Sequence, residues 1–433
     1  MYMPKNKFNC FPRSKFFISI CVVSCVLPTI LSFHFRRGNA SSYDFSGMNM
    51  SPVILIPGVV GSIIEGKWRT HGQPRLCTAK EKDWEVLWLS LKTTFGGKPL
   101  KCWVFRYKLI YNRTSHKSSN QDGVKTRVMG DFGSLKSVEY LTKDVITRIG
   151  TGYFDDIGKA LRKSGYSTDR NLKGAAYDGR YAPPQQEEKY GYFTSLAKLV
   201  EQLANDSGRK VTLVSHSMGG LVGSYFLTNQ PPEWKEKYIN LFVPISTPWL
   251  GSPMAVSGFI EGTNFDVPTF KKSVMRDLVR TFQSVALLLL SEEAYNSTVI
   301  VEWPEQNKNY TAADYKQLFT DIKYEDGFLM REDVRSLMPV AGDKLGVNVV
   351  CIWSKSIQTK FKMTVKGDIA DPKSVSYETV DGDGTVTLDS LRYCETFPNV
   401  TTQEFTGLDH LKIVYSKGFI NYLQSVLVNA KPL

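Results

Sequence analysis

The sequence has few residues that could hold a metal ion. Its 433 residues include five histidines and seven cysteines, and no group of His, Cys and Asp residues has the spacing of a metal site. We therefore expect no metal and no other cofactor. The chain also lacks a basic cluster with interleaved aromatic residues, so we expect no nucleic-acid partner.

Acidic residues are absent from the first 43 positions. Six basic residues in this segment contribute to the formal net charge of +12, namely Lys5, Lys7, Arg13, Lys15, Arg36 and Arg37. An apolar run over 16–33 with charges on both sides is typical of a secretory signal, although Pro28 interrupts it. Residues 1–40 are therefore predicted to be a cleaved signal peptide, with a retained signal anchor as the alternative.

Four cysteines remain beyond residue 40, at Cys77, Cys102, Cys351 and Cys394. An even number in an exported protein predicts two disulfides, and four cysteines allow three pairings. Seven Asn-x-Ser/Thr sequences also permit glycosylation, and they begin at Asn39, Asn49, Asn112, Asn205, Asn296, Asn309 and Asn399.

Short apolar runs alternate with helical patterns along most of the chain. Four of these runs predict buried strands, at 52–58, 211–214, 241–245 and 347–353. Apolar residues with helical spacing occur in three segments, at 153–165, 192–205 and 221–226. Strands that alternate with helices predict an α/β fold with a mainly parallel sheet.

Two segments interrupt this alternation. Residues 256–345 contain several amphipathic stretches and are predicted to be an inserted cap. Residues 77–103 are bounded by cysteines, and their large apolar residues have the spacing of one face of a short helix. These residues are Trp84, Leu87, Trp88 and Leu91. They could pack on the core or face a membrane.

A serine in a tight strand-to-helix turn is the main candidate for chemistry. Ser217 lies in the sequence Ser-His-Ser-Met-Gly, between the strand at 211–214 and the helical pattern that follows. This context is typical of a nucleophile elbow, in which the flanking positions must be small. Ser215 stands where glycine is usual, and it is small enough to fit.

A serine hydroxyl needs a base, and the base needs a carboxylate to orient it. In α/β-hydrolases the chain order is Ser, acid, His, and only His410 follows Ser217 among the five histidines. The loop at 381–386 offers two acids, and spacing does not choose between Asp381 and Asp383.

An oxyanion hole needs two backbone N–H groups close to the nucleophile. One should come from Met218, directly after the serine, and the other from an early strand-to-helix loop, where Val59 is well placed.

As an ordered set, these segments resemble the lecithin:cholesterol acyltransferase family, and within it the lysosomal (group XV) phospholipase A2 branch. The resemblance begins near residue 51 and continues almost to the end of the chain. The segments that carry it are 54–58, 77–103, 177–180, 215–219, 309–331 and 382–386.

The resemblance implies an α/β-hydrolase domain over residues 41–433, with a membrane-binding subdomain at 77–103 and a lid-bearing cap. It places the catalytic acid at Asp383 and the base at His410, and it supports Val59 and Met218 as oxyanion donors. It also implies two disulfides, Cys77 with Cys102 and Cys351 with Cys394. Because the enzyme must lift a lipid from a bilayer, it favours a membrane-facing role for Trp84, Leu87, Trp88 and Leu91.

Members of this family transfer a fatty acyl chain from a glycerophospholipid to water or to a lipid alcohol. The resemblance therefore implies a serine phospholipase A with acyltransferase capacity, a phospholipid membrane surface as partner, and a lysosomal or secreted location. One rival hypothesis is a sterol or other lipid-alcohol O-acyltransferase. Another, from a different class, is a lipid-binding protein on a catalytically dead scaffold, which the complete Ser, Asp and His set disfavours.

The chain departs from the family pattern in two segments. Gly179 stands where the family usually has Trp, in the segment Tyr-Asp-Gly-Arg. Thr247 and Leu250 stand where the family usually has Ala and Gly, in the segment Thr-Pro-Trp-Leu-Gly. Both departures put the substrate and acceptor preference in doubt and leave the three proposed catalytic residues unaffected.

Overall fold

The computed structural model describes residues 50–69, 73–75, 77, 83–89, 97–142, 151–263 and 270–427. The predicted signal peptide or anchor and Leu91 lie outside these residues. Within them, no helix has the length and apolar character needed to cross a membrane.

The described residues form fifteen strands. In chain order they are β1 (Val53–Ile56), β2 (Ile64–Trp68), β3 (Glu85–Trp88), β4 (Leu109–Asn112), β5 (Lys117–Asn120), β6 (Val124–Val128), β7 (Leu172–Gly174), β8 (Val211–His216), β9 (Ile239–Ile245), β10 (Val301–Trp303), β11 (Lys308–Tyr310), β12 (Val349–Lys355), β13 (Thr359–Asp368), β14 (Asp371–Val380) and β15 (Val400–Thr406).

The described residues also form fourteen α-helices. They are α1 (Gly97–Tyr107), α2 (Asp155–Lys163), α3 (Pro183–Tyr190), α4 (Tyr192–Ser207), α5 (Met218–Thr228), α6 (Pro232–Tyr238), α7 (Pro253–Ile260), α8 (Lys272–Val279), α9 (Gln283–Leu287), α10 (Glu292–Tyr295), α11 (Tyr315–Asp321), α12 (Glu325–Val334), α13 (Leu388–Arg392) and α14 (Lys417–Leu427).

A six-stranded parallel sheet forms the centre of the molecule, in the order β15-β12-β9-β8-β1-β7. The predicted strands are confirmed as β1, β8, β9 and β12. Successive side chains of a strand point to opposite faces, so Ile54 and Ile56 of β1 join one core, and Val53 and Leu55 join the other.

Helices cover both faces of this sheet. The apolar residues of α4 and α5 pack on one face, and those of α2 and α14 pack on the other. The three predicted helical segments are thus confirmed as α2, α4 and α5. A parallel sheet between two helical layers directs the carboxyl ends of its strands to one edge, where α/β proteins usually carry their sites.

A separate apolar core lies within the segment predicted as a cap. Residues of α7, α11 and α12 pack there against a sheet of four strands, in the order β11-β10-β13-β14. The long hairpin of β13 and β14 lies beyond the predicted boundary at residue 345 and contributes Met363 and Val365 to this core. The apolar core of the predicted cap therefore extends beyond residue 345 to this hairpin.

The helix predicted for Trp84 to Leu91 is wrong in its first half, because Glu85–Trp88 form strand β3. This strand pairs with β2, which also pairs with β6. Leu87 and Trp88 are buried, being 2% and 3% exposed, and they pack in a core with Trp103 and Phe270. Their side chains therefore cannot form an exposed membrane-facing surface in this conformation.

Both expected disulfides are present. Cys77 is joined to Cys102, which connects the loop before β3 to helix α1. Cys351 of β12 is joined to Cys394, just after α13.

A buried ion pair connects the smaller sheets to the centre. Arg180 and Asp178 are each 1% exposed, and their side chains make two hydrogen bonds, from Nε to Oδ1 at 2.9 Å and from Nη2 to Oδ2 at 2.6 Å. Arg180 also donates to the Tyr107 carbonyl at the end of α1, to Asn120 of β5 and to Thr126 of β6. The guanidinium therefore holds three elements around the loop after β7.

The buried Asp178 carboxyl group is ionised because it is paired with Arg180. Burial alone would raise the pKa of Asp178, but the charge and hydrogen bonds of Arg180 lower that pKa below its ordinary value. The pair therefore contributes stability above the pKa of the unfolded aspartate, and this contribution is lost as the pH falls through the lowered folded pKa.

We expect Asp178→Asn to lower the free energy of unfolding by about 3–5 kcal/mol, because it leaves the Arg180 charge buried without a counter-ion. Urea denaturation followed by circular dichroism measures the change. Glu395→Gln is the matched control, since Glu395 pairs with Arg392 at the surface and its loss should cost less than about 1 kcal/mol. Similar small losses in both variants would contradict a structural role for the buried pair.

Candidate active site

Ser217 occupies a strained turn between β8 and α5. Its backbone angles are φ 58° and ψ −132°, a conformation that residues other than glycine rarely adopt. The turn needs small neighbours, because a Cβ on Gly219 would lie 2.5 Å from the carbonyl oxygens of Ile56 and Pro57. The predicted elbow is therefore present, and Ser217 is only partly buried at the carboxyl end of β8.

His410 lies beside Ser217, on the loop between β15 and α14. Its Nε2 is 2.9 Å from Ser217 Oγ, and its Nδ1 is 2.7 Å from Asp383 Oδ2. A carboxylate accepts hydrogen bonds, so Nδ1 carries the hydrogen and Nε2 is left to accept the serine proton. The backbone adds a further connection, since the His410 N–H donates to the Asp383 carbonyl at 2.8 Å.

The structure distinguishes the two acids that spacing left open. Asp383 is fully buried, and its Oδ1 accepts hydrogen bonds from the N–H groups of Thr385 and Val386 at 3.1 and 2.8 Å. Asp381 is exposed and accepts from the N–H groups of Ser356 and Gly382. Only Asp383 contacts His410, as the family pattern implies.

The two predicted oxyanion donors lie on loops that border Ser217. Met218 is the first residue of α5, where an N–H group has no acceptor within the helix. Val59 follows Gly58, and a Cβ on Gly58 would lie 3.0 Å from Ser217 Cβ. The loop that carries Val59 is therefore packed directly against the elbow.

Gly179 lies beneath the Val59 loop. A Cβ at this position would be 1.7 Å from the Val59 carbonyl oxygen, so the loop can follow this path only because Gly179 has no side chain. Tyr177 supports the same loop, since its hydroxyl donates to the Pro57 carbonyl at 2.8 Å. The first departure from the family pattern thus lies next to a predicted oxyanion donor.

Leu250, in the second segment that departs from the family pattern, packs into the core of the predicted cap. Its N–H donates to Ser390 Oγ at 3.0 Å. Pro248, two residues earlier, lines a cavity beside Ser217. Leu250 therefore connects the wall of this cavity to the core of the predicted cap.

An apolar cavity of about 250 Å³ opens beside Ser217 and His410. The side chains that form its walls are mostly apolar and include Trp88, Leu89, Val279, Phe282, Val285 and Leu288. Trp88 was predicted to face a membrane and instead lines this cavity. The lining matches an apolar ligand such as a hydrocarbon chain.

Trp84 was also predicted to face a membrane. Trp84 is half-buried, and the Arg127 guanidinium lies 4.3 Å from the centre of its ring.

Met254 and Leu411 are about two-fifths exposed and also line the cavity, so they form an apolar rim at its opening. No sequence pattern predicted this rim, because Met254 and Leu411 lie far apart in the chain and on different elements.

Comparisons with known proteins identify the family. The model of the family described as lecithin:cholesterol acyltransferase matches residues 84–417. Lysosomal phospholipase A and acyltransferase of Bos taurus is 32% identical over 392 residues, which cover 89% of this chain and 93% of that protein. Phosphatidylcholine-sterol acyltransferase of Gallus gallus is 32% identical over 380 residues, covering 84% of this chain and 87% of the relative.

Among solved structures, the Tle4-Tli4 complex contains a chain of similar fold, with a TM-score of 0.52 and 13% sequence identity. The match covers 87% of this chain and 98% of that chain. Because the family model spans most of the sequence and the relatives align along nearly all of it, the chain belongs to the lecithin:cholesterol acyltransferase family.

Proposed function

We propose that this protein is a serine phospholipase A and acyltransferase, with Ser217 as nucleophile, His410 as base and Asp383 as orienting acid. The observation that carries this proposal is the hydrogen-bonded series from Asp383 through His410 to Ser217, located at the opening of an apolar cavity. Two curated relatives whose names state acyl-transfer activities on lipids support the reaction class.

In the first step, Ser217 Oγ attacks the carbonyl carbon of a phospholipid ester while its proton moves to His410 Nε2. The Asp383 carboxylate stabilises the imidazolium that forms. The N–H groups of Val59 and Met218 donate to the developing oxyanion. When the tetrahedral intermediate collapses, His410 returns the proton to the leaving lysophospholipid oxygen, and the acyl chain remains on Ser217.

In the second step, an acceptor hydroxyl attacks the acyl-serine. His410 takes the proton from the acceptor, and Ser217 recovers it when the new ester or free fatty acid leaves. Water gives hydrolysis, whereas a lipid alcohol gives acyl transfer. Because both acceptors use the same acyl-serine, the phospholipase and the sterol or other lipid-alcohol O-acyltransferase hypotheses differ only in the acceptor.

The cavity is proposed to hold the acyl chain, and the apolar rim formed by Met254 and Leu411 to contact the bilayer. A phospholipid membrane surface remains the expected partner, although the contact surface differs from the one proposed from Leu87 and Trp88. The names of the relatives and the two disulfides favour a lysosomal or secreted location.

Product analysis tests the proposed function. Purified protein is incubated with phosphatidylcholine liposomes of defined acyl composition, with and without a lipid alcohol in the bilayer. We expect free fatty acid and lysophospholipid in both samples, and in the second sample an additional ester of the alcohol at the expense of fatty acid. Binding of liposomes without any product would favour the catalytically dead lipid-binding hypothesis.

The two aspartates provide a matched test of the proposed acid. Asp383→Asn should lower kcat on a short soluble ester by about 10⁴, the loss found when the orienting acid of a serine protease is replaced in the same way. Asp381→Asn should stay within about tenfold of the unchanged protein, because the Asp381 carboxylate accepts from the backbone N–H groups of Ser356 and Gly382 and does not contact His410. The reverse order of effects would remove Asp383 from its proposed role.

A further inference from the structure

Behind the Ser217 elbow, a series of buried hydrogen bonds joins three loops. The Gly58 N–H donates to the Tyr153 hydroxyl at 2.8 Å, and this hydroxyl is 2.7 Å from His216 Nδ1. His216 Nε2 is in turn 2.8 Å from the backbone carbonyl of His410. Tyr153 and His216 are 3% and 1% exposed.

The chemistry of the end groups fixes the direction of every bond in this series. The His410 carbonyl can only accept, so His216 Nε2 carries the hydrogen and Nδ1 is an acceptor. Tyr153 must then donate its O–H to His216 Nδ1 while it accepts from Gly58. Each group in the series has one arrangement that satisfies it.

Burial keeps both side chains in the neutral forms that this arrangement requires. Desolvation, together with the nearby His410, lowers the pKa of His216 well below its ordinary value. Desolvation also raises the pKa of the Tyr153 hydroxyl far above its ordinary value. Neither side chain therefore changes charge near neutral pH.

The series connects the groups whose relative positions determine the geometry of the site. Gly58 precedes Val59, the proposed oxyanion donor, on the loop after β1. His216 precedes Ser217 at the end of β8, and His410 is the proposed base on the loop after β15. The donor loop, the nucleophile and the base are thus fixed to one another through Tyr153 and His216, neither of which transfers a proton in the proposed reaction.

We propose, on the basis of the function proposed above, that Tyr153 and His216 are positioning residues for acyl transfer. They hold the Val59 loop and the His410 loop at the distances from Ser217 that the transition state needs. A purely structural role predicts a different result, in which removal of a buried hydrogen bond lowers the melting temperature and leaves turnover by the folded protein unchanged.

Tyr153→Phe tests this role by removing one hydroxyl. We expect kcat on a short soluble ester to fall roughly tenfold to hundredfold with KM within about twofold, since small displacements of reacting groups cost rates of this order. Tyr166→Phe is the control, because its hydroxyl also makes a buried hydrogen bond, to the Ser51 carbonyl at 3.1 Å, at the other end of β1. It should lower the melting temperature similarly and keep kcat within about twofold.

Variants of His216 keep the test decisive if Tyr153→Phe does not fold. His216→Asn retains an acceptor near the position of Nδ1, whereas His216→Gln retains an N–H donor near the position of Nε2. Each should lower kcat with little change in KM. Combining His216→Gln with Tyr153→Phe should cost no more than about threefold beyond the worse single variant, because both changes break the same series.

Two outcomes overturn the inference. One is a kcat for Tyr153→Phe or for both His216 variants within about twofold of Tyr166→Phe, and the other is a double variant whose losses multiply. Failure of the proposed function itself is distinguishable, because the unchanged protein would then form no product from phosphatidylcholine liposomes. Labelling with a fluorophosphonate normalises every rate to the amount of reactive serine.

Discussion

The strained backbone at Ser217 is the constraint on which the arrangement of the site depends. A positive φ at a serine lifts its hydroxyl out of the sheet, and this conformation persists only where surrounding groups hold it. Gly219 allows the first turn of α5 to approach the carbonyls of Ile56 and Pro57, so β1 and β8 fix the elbow from both sides. The other functional groups must then reach this one point from separate loops.

Contacts of different kinds bring those loops to the elbow. The Asp383 loop and the His410 loop are joined by a backbone hydrogen bond as well as by their side chains. The Val59 loop rests on Gly179, and the adjacent Asp178–Arg180 pair holds α1, β5 and β6 nearby. The segment from Tyr177 to Arg180 therefore contributes both to the stability of the fold and to the geometry of the site.

The elements that the sequence predicted well are those with strong local patterns. The central strands and three helices follow from apolar patterns, and His410 follows from the scarcity of histidine, whereas the choice of Asp383 over Asp381 came only from the resemblance to the family. The segment at 84–88 was misassigned because so short an apolar run fits a helix face or a strand equally well. The β13–β14 hairpin was missed because β14 is largely exposed and has no apolar run. No sequence pattern predicted the hydrogen bonds of Tyr153, because its partners Gly58 and His216 lie 95 and 63 residues away in the chain.

The central claim is that an acyl chain resides on Ser217 between the two steps. Acid quenching within the first turnovers of a phosphatidylcholine or short-ester substrate, followed by peptide mass spectrometry, measures this directly. The peptide that contains Ser217 should carry the mass of one acyl chain, and the Ser217→Ala protein should carry none and form no product. Product formation at an undiminished rate in Ser217→Ala, or an acyl chain on a different residue, would contradict the proposed mechanism.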